Sequence, residues 1–121
     1  MQTNTSELLF VYGTLKKGHG NNRLLSEAEF FAKDIMPGFD LYDLGPYPAA
    51  VRGDGYISGE IYRINKGQLD RCDRLEGYPT YYNRMLRQTQ NGQLCWIYYL
   101  DRPPYRATLC SDGQWPTQQA T

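Results

Sequence analysis

The chain has 121 residues, of which 40% are hydrophobic and 21% are charged, and its 13 basic and 13 acidic side chains give a formal net charge of zero. This length predicts one domain over residues 1–121, and the balanced charge argues against nucleic acid or an anionic membrane surface as the main partner. The sequence contains no run of about 18 apolar residues, so no membrane span is predicted. The first residues lack the basic and apolar regions of a signal peptide.

The cysteines and the chain ends add two further expectations. Cys72, Cys95 and Cys110 are odd in number, widely spaced and free of any CxxC pattern, which disfavours a disulfide framework or a zinc site. We therefore expect reduced thiols in a cytoplasmic protein. The polar ends, residues 1–6 and 116–121, are expected to be loose.

The first part of the chain predicts two strands separated by a loop and a short helix. Residues 8–12 are a short apolar run ended by glycine, which is typical of a strand buried on both faces. A glycine-containing loop follows over 14–22, and residues 22–30 have the pattern of a short helix. Residues 32–44 predict an edge or bent strand, because Pro37 has no N–H to give to a ladder.

Two glycine-containing dipeptides, Asp54-Gly55 and Asn91-Gly92, predict β-hairpins because each lies between β-prone runs. The paired runs are 45–51 with 56–64 for the first hairpin, and 81–89 with 94–100 for the second.

The most clearly delimited helix is predicted over residues 65–77. Asn65 and Gln68 have the spacing of a capping box, and Gly77 is suited to the left-handed position that ends a helix. The resulting order of elements, in which hairpins outnumber crossovers, predicts an α+β domain around a mostly antiparallel sheet. Periodicity does not tell whether that sheet closes into a barrel.

Glu76 lies in an unusual place for an acid, at the end of this helix. Its spacing from Leu69 and Cys72 puts it on or beside the buried face. Partial burial and the negative end of the helix dipole are both expected to raise its pKa from about 4.3 toward neutrality. A solvated carboxylate, or one paired with Arg84 or Arg87 of the next strand, is the alternative on the pattern alone.

The loop after the first strand is the second candidate site. Gly13 allows a sharp turn, and the N–H groups of Gly13, Thr14 and Leu15 have the arrangement of a small anion-binding nest, with the Tyr12 and Thr14 hydroxyls as possible donors. A nucleotide-phosphate loop is disfavoured, because His19 and Gly20 stand where lysine and serine or threonine belong. An ordinary connection from strand to helix is the alternative.

Together, the segments FVYGTLKKG (10–18) and LDRCDRLEGYPTYYNR (69–84) resemble the γ-glutamylcyclotransferase-like superfamily, most closely its short branch of γ-glutamylamine cyclotransferases and AIG2-like proteins. The likeness spans nearly the whole chain in the same order. The resemblance implies a small closed, mostly antiparallel β-barrel flanked by short helices. It also implies an enzyme that cyclises the γ-glutamyl group of a small amine or peptide conjugate to 5-oxoproline and releases the amine.

The resemblance carries over to individual residues. It implies that Glu76 is the catalytic general base and acid, and that the YGTL segment and a downstream tyrosine form the substrate pocket. No metal or organic cofactor is implied, and the expected partner is a small γ-glutamyl substrate, with the oligomeric state left open. A non-catalytic domain that binds a small carboxylate on the same scaffold is the alternative function. The implied substrate-binding residues are Tyr12, Gly13, Thr14, Leu15 and Tyr82.

Overall fold

The computed structural model describes residues 7–116, so the predicted loose ends lie outside the described residues except for Pro116. Strands are the commonest regular structure in the described chain, which also has one α-helix and one short 3₁₀ helix. In chain order the elements are β1 (Glu7–Val11), the 3₁₀ helix (Asn22–Leu25), β2 (Glu29–Asp43), β3 (Pro48–Ile64), α1 (Lys66–Glu76), β4 (Asn83–Gln88), β5 (Leu94–Tyr99) and β6 (Thr108–Leu109).

The strands form one six-stranded mixed sheet in the order β4-β5-β1-β3-β2-β6. β1 is parallel to β5, and the other neighbouring pairs are antiparallel. The sheet is curled but open, so the expected closed barrel is wrong. Closure would need the edge strands β4 and β6 to pair, but β6 is two residues long and pairs only with Tyr42 and Asp43 at the end of β2.

The curl brings β3 close to the end of β5, beyond the point where β1 stops. Val51 of β3 forms a bridge with Leu100, and the Leu100 amide donates to the Ala50 carbonyl at 2.8 Å. The short central strand β1 therefore ends inside a cleft that has β3 on one side and β5 on the other. This cleft positions the site described below.

The hydrophobic core lies on both faces of the sheet, as the prediction for β1 requires. Leu9 and Val11 pack into the cluster that includes Leu69 and Cys72 of α1, whereas Phe10 packs into the cluster on the opposite face. All three β1 side chains are at most 3% exposed. β1 is thus fixed from both sides, and so is the position at which it ends.

Helix α1 begins and ends where its sequence predicts. The Asn65 side chain accepts from the Gln68 amide and the Gln68 side chain accepts from the Asn65 amide, which completes the capping box. Gly77 follows the helix with φ 70°, a conformation that favours glycine because it has no Cβ. Glu76 is consequently the last residue of the helix.

One of the two predicted hairpins is present. Asn91-Gly92 lies in the turn between the antiparallel strands β4 and β5, which confirms that prediction. The predicted hairpin at Asp54-Gly55 is wrong, because β3 runs without interruption through it.

A β-bulge explains the small residues at this place in β3. The register changes from Pro37 opposite Tyr56 to Phe39 opposite Arg52, so three β3 residues face one residue of β2. A Cβ added to Gly55 would lie 2.5 Å from the Asp40 carboxylate. The actual reversal between β2 and β3 is the short connection over 44–47.

The segment before β2 also differs from its prediction. Residues 22–30 were expected to form a short helix, but the 3₁₀ helix covers only Asn22–Leu25 and β2 already begins at Glu29. Pairing of Glu29 and Phe30 with Arg63 and Tyr62 of β3 extends the strand at the expense of the helix. No helix in the described part of the chain is long and apolar enough to cross a membrane.

Candidate functional site

A pocket opens where β1 ends, between the curled strands and the C-terminus of α1. Its empty volume is about 340 Å³. The floor comes from β1 and the loop that follows it, and the walls come from the start of β3, the end of α1, the loop before β4, and β5. The residues that line it are Phe10, Val11, Tyr12, Gly13, Thr14, Leu15, Tyr47, Pro48, Glu76, Tyr82 and Tyr98.

Glu76 is the one acidic residue in this lining. Burial raises the pKa of its carboxyl group to about 7, because the charged form loses solvation there. Within residues 7–116, no group donates a hydrogen bond to either oxygen of this carboxyl group, and no cation forms an ion pair with it. The side chain is therefore held at a pKa at which it exchanges protons readily near neutral pH.

Asp73 explains why no arginine neutralises Glu76. It lies one turn earlier on α1, and the Arg84 guanidinium donates two hydrogen bonds to it, at 2.9 and 3.1 Å. The Tyr98 hydroxyl donates a third at 2.7 Å. The Arg84 guanidinium also lies over the rings of Tyr78 and Trp96, at 4.4 and 4.2 Å from their centroids. Arg84, one of the two cations considered as partners for Glu76, therefore pairs with Asp73, and the other, Arg87, lies over the Phe39 ring at 5.3 Å from its centroid.

The loop after β1 is shaped by close packing and by two asparagines. A Cβ on Gly13 would lie 2.6 Å from Cδ of Pro48, so no larger residue fits there without a shift. The Asn21 side chain donates to the Thr14 hydroxyl at 2.8 Å, and the Asn22 side chain donates to the Leu15 carbonyl at 2.8 Å. These bonds fix the loop at its two ends.

The amides of this loop are available to a ligand. Within the described chain, no acceptor takes a hydrogen bond from the N–H groups of Gly13, Thr14 and Leu15, although all three residues line the pocket. Gly13 and Leu15 are buried and Thr14 is half-buried. Unsatisfied buried N–H groups are rare in proteins, and consecutive ones favour a bound anion or carbonyl oxygen.

The Tyr12 hydroxyl, predicted as a possible donor to a ligand, and the hydroxyl of the predicted pocket residue Tyr82 are both used by the protein itself. The Tyr12 hydroxyl donates to the Tyr98 carbonyl at 2.7 Å and accepts from the Ala50 amide at 3.1 Å. The Tyr82 hydroxyl donates to the Pro48 carbonyl at 2.6 Å. Burial raises the pKa of both phenols, so they stay neutral. Both residues contribute ring surface to the pocket, and their hydroxyl groups tie its walls together.

A wider, more open cavity of about 720 Å³ adjoins the pocket. The two share Thr14, Tyr47, Glu76 and Tyr82, so Glu76 lies at the junction between them. The remaining residues that line the outer cavity are Asn21, Pro46, Leu75 and Tyr81.

The structure brings all six predicted site residues together around one pocket: Tyr12, Gly13, Thr14, Leu15, Glu76 and Tyr82. Sequence reasoning missed Tyr47, Pro48 and Tyr98 as part of its wall. The excess of tyrosine, 11 residues, was the available signal, but only the fold selects which of them line the site.

Several other polar residues lie away from this pocket. The His19 ring lies against Trp115, with 5.6 Å between the centroids. Glu60 accepts from the Lys17 amide at 2.9 Å and lines a separate polar groove. The three cysteines are buried, and none of them forms a disulfide within residues 7–116. Residues 7–116 contain no group of three or more His, Cys, Asp or Glu side chains arranged to hold a metal ion.

Comparison with known proteins shows what this chain is similar to. A family model described as gamma-glutamyl cyclotransferase, AIG2-like, matches residues 9–117. The gamma-glutamylcyclotransferase family protein ytfP of Citrobacter rodentium is 37% identical over 107 residues, which cover 88% of this chain and 93% of that protein. The gamma-L-glutamyl-butirosin B gamma-glutamyl cyclotransferase of Niallia circulans is 30% identical over 114 residues, covering 86% and 73%.

The fold is shared as well. The crystal structure of an uncharacterized protein from Pyrococcus horikoshii superposes with a TM-score of 0.79 at 28% identity, covering 90% of this chain and 89% of that one. The family match, the relatives and the fold agree over nearly the full described length. The chain belongs to the gamma-glutamylcyclotransferase family, in its AIG2-like branch.

Proposed function

We propose that this protein is a gamma-glutamyl cyclotransferase that converts a small γ-glutamyl amine or peptide to 5-oxoproline and the free amine. The observation that carries the proposal is Glu76, a carboxyl group with a pKa of about 7 and no partner in the described chain. It lines the same pocket as three loop amides that donate to no acceptor within residues 7–116. The name of the Niallia circulans relative supports the same reaction class.

The reaction needs a proton acceptor and then a proton donor at one place. The substrate's α-ammonium group gives a proton to the Glu76 carboxylate, and the neutral nitrogen attacks the γ-carbonyl carbon. The new carbon–nitrogen bond closes the lactam ring, and the bond to the departing nitrogen breaks as that nitrogen takes a proton from Glu76. The ring nitrogen then gives its second proton to the regenerated Glu76 carboxylate, which passes it to the departing amine, so that the amine leaves as an ammonium ion. Overall, two protons pass from the α-nitrogen to the departing amine, and no water or redox partner is consumed.

Glu76 is suited to both steps because of its pKa. A carboxyl group that titrates near pH 7 is populated in both protonation states in neutral solution, so acceptance and return of the proton are nearly balanced. Its place at the junction of the two cavities supports a position between the α-amine and the scissile bond.

The loop after β1 is the proposed holder of the glutamyl group. The N–H groups of Gly13, Thr14 and Leu15 are donors for the substrate's α-carboxylate or for the oxygen on which charge develops during attack. The rings of Tyr12 and Tyr82 enclose the aliphatic part of the chain in this assignment. A curled glutamyl chain held in that way converts ring closure into a favoured intramolecular step.

The test measures 5-oxoproline release from a set of γ-glutamyl amines and dipeptides. We expect turnover of at least one compound by the natural protein, and a loss of 100-fold or more in the Glu76→Gln variant, on the order of what a general acid–base residue contributes. Gln keeps the size of the side chain and removes its proton chemistry. Turnover that survives Glu76→Gln undiminished would exclude Glu76 as the base.

The alternative, a non-catalytic domain that binds a small carboxylate, predicts a different result. Calorimetry would then detect binding of 5-oxoproline or a γ-glutamyl compound to the natural protein and to Glu76→Gln alike, with no product formed by either. That combination would refute the enzyme assignment.

A further inference from the structure

The outer cavity differs in chemistry from the inner pocket. Its wall comes from the connection before β3, which supplies Pro46 and Tyr47, and from the end of α1 and the loop after it, which supply Leu75 and Tyr81. The three large side chains are 37%, 41% and 46% exposed for Tyr47, Leu75 and Tyr81 respectively. Apolar side chains exposed side by side mark a binding surface more often than scattered ones do.

The tyrosines form a continuous aromatic wall that leads from the outer cavity to the inner pocket. Tyr47 and Tyr81 meet edge to face with 6.5 Å between ring centroids, and their hydroxyls lie 3.3 Å apart. Tyr81 in turn meets Tyr82 edge to face at 5.1 Å. The wall is therefore ordered by its own contacts, and it ends at Tyr82, one of the four residues that line both cavities.

Charge is missing from this wall. Apart from Glu76, no residue that lines the outer cavity in the described chain carries an acidic or basic side chain. The hydrogen bond to Tyr47 raises the pKa of Tyr81 to about 12, so that phenol is neutral at physiological pH. The polar residues are also partly used, since Asn21 donates to Thr14 at 2.8 Å. A ligand with its own carboxylate would find no cation here.

We infer that the outer cavity holds the departing amine of the substrate, and that it selects amines with an uncharged apolar or aromatic group over amino acids and other charged amines. This inference rests on the proposed function, because it assigns the glutamyl group to the inner pocket and the scissile bond to the junction at Glu76. The assignment of the departing amine to the outer cavity rests on the continuity of the two cavities, because one ligand can span them. The residues that line both are Thr14, Tyr47, Glu76 and Tyr82.

The physical basis of the selection is desolvation. An aromatic ring loses no favourable hydration when it packs against Leu75, Tyr47 and Tyr81, and edge-to-face contacts add to the gain. A carboxylate in the same place gives up its hydration without a paired cation. An ammonium group competes with the aromatic ring for this cavity better than a carboxylate does, because the faces of tyrosine rings also attract cations.

The experiment compares kcat/KM for four γ-glutamyl conjugates, those of benzylamine, methylamine, glycine and ethylenediamine. We expect the benzylamine conjugate to exceed each of the others by about tenfold or more, the range that a matched apolar contact provides. The methylamine conjugate is the internal reference, because its departing group is too small to reach the aromatic wall.

Two variants test whether the side chains of the outer cavity cause the preference for the benzylamine conjugate. Tyr81→Ala and Leu75→Ala are expected to lower kcat/KM for the benzylamine conjugate at least tenfold more than for the methylamine conjugate, and to raise KM more than they lower kcat. Tyr105→Ala is the matched control, because Tyr105 is 90% exposed and lines neither cavity. Thermal unfolding of each variant separates lost specificity from lost folding.

The outcomes are distinguishable. If the methylamine conjugate is turned over but benzylamine gives no advantage over glycine or ethylenediamine, this inference is wrong and the proposed function stands. The same holds if Tyr81→Ala and Leu75→Ala lower all four substrates equally. If neither these four nor any other member of the set of γ-glutamyl amines and dipeptides is turned over, the proposed function fails and this inference fails with it.

Discussion

Two carboxyl groups one helical turn apart on α1 have opposite environments. Asp73 accepts three hydrogen bonds, two from Arg84 and one from Tyr98, whereas Glu76 accepts none from the described residues. Both lie toward the interior on the same helix. Their contrast shows that a partly buried acid becomes a structural anchor or a proton carrier according to which partners the surrounding strands supply.

The contrast has an energetic meaning. Asp73 joins α1 to β4 and β5 through a charge pair in which both side chains are largely shielded, at 16% and 14% exposure. Glu76 contributes no comparable link, and its burial disfavours the ionised form. Four substitutions and one pH profile test this comparison, in order of expected effect.

The largest effect is expected from Glu76→Gln. This change should lower turnover 100-fold or more, and it should also stabilise the fold at pH 8 by about 1 to 3 kcal/mol. The stabilisation is the free energy that corresponds to a pKa raised from 4.5 to about 7, reduced because the side chain is partly exposed to solvent. The raised pKa means that the natural protein loses stability between pH 4.5 and 7 as the carboxyl group ionises.

Urea unfolding at pH 4 and pH 8 measures this difference. The gain from Glu76→Gln should be present at pH 8 and absent at pH 4, where the natural carboxyl group is protonated in both the folded and the unfolded chain. An equal gain at both pH values would show that ionisation of Glu76 is not its source.

The pH dependence of turnover is the second test. Because the proposed mechanism begins with the ionised Glu76, kcat/KM should fall about tenfold per pH unit on the acid side of its pKa, which is about 7. Initial rates of 5-oxoproline release between pH 5 and pH 8 give the profile. A flat profile across this range would contradict the assignment of Glu76 as the first proton acceptor.

Removing the partner of Asp73 should destabilise the protein without removing its chemistry. Arg84→Met leaves the Asp73 carboxylate shielded and without its cation, and it should cost about 3 kcal/mol in the free energy of unfolding. Lys66→Met is the matched control on the same helix, because the Lys66 and Asp70 side chains are 82% and 47% exposed and should contribute under about 0.5 kcal/mol.

Chemical denaturation measures both variants. Equal losses of stability in Arg84→Met and Lys66→Met would mean that the Asp73 network is no stronger than a surface ion pair. In the folded fraction of Arg84→Met, turnover should persist, since Glu76 keeps its own environment.

Gly13→Ala tests the loop that faces Glu76. Its new methyl group would lie 2.6 Å from Cδ of Pro48, so the loop or the β3 connection must move, at a cost of about 1 to 3 kcal/mol and with a lower kcat/KM. Gly20→Ala in the same loop is the control, because a Cβ there meets nothing within 4 Å. Thermal unfolding and 5-oxoproline release should separate the two variants.

The smallest effect is expected from Tyr82→Phe. This change removes the 2.6 Å hydrogen bond to the Pro48 carbonyl and keeps the ring in the pocket wall, so it should cost about 1 kcal/mol of stability. Turnover should fall less than tenfold, because the hydroxyl is committed to the protein. A loss as large as that of Glu76→Gln would show that the Tyr82 hydroxyl takes part in the reaction.

Local signals predicted the parts of the fold that local chemistry controls. The capping box at Asn65 and the left-handed Gly77 fix helix α1, and Asn91-Gly92 fixes the turn between β4 and β5. Asp54-Gly55 carried an equally strong turn signal and was misleading. At that place the Asp40 carboxylate of β2 approaches β3 so closely that β3 needs a residue without a side chain at Gly55. A turn signal is read from a few consecutive residues, and Asp40 and Gly55 are too far apart in the sequence for such a segment to include both.

The site divides in the same way. The face of the helix placed Glu76 inward, and the resemblance of two short segments to a family selected the six residues that prove to line one pocket. Which arginine pairs with which acid was left open by the sequence, and the position of β4 beside α1 resolved it in favour of Asp73. The use of the Tyr12 and Tyr82 hydroxyls as internal ties was likewise visible only in three dimensions.

The sequence by itself determined the helix that ends at Glu76, the glycine loop that faces it and the family to which both belong, because caps, turns and short motifs act over a few residues. Tertiary structure alone decided that the sheet stays open, that Arg84 leaves Glu76 unpaired and that a tyrosine wall adjoins the pocket. Those features depend on contacts between segments far apart in the chain, where burial and pairing are set by the whole fold.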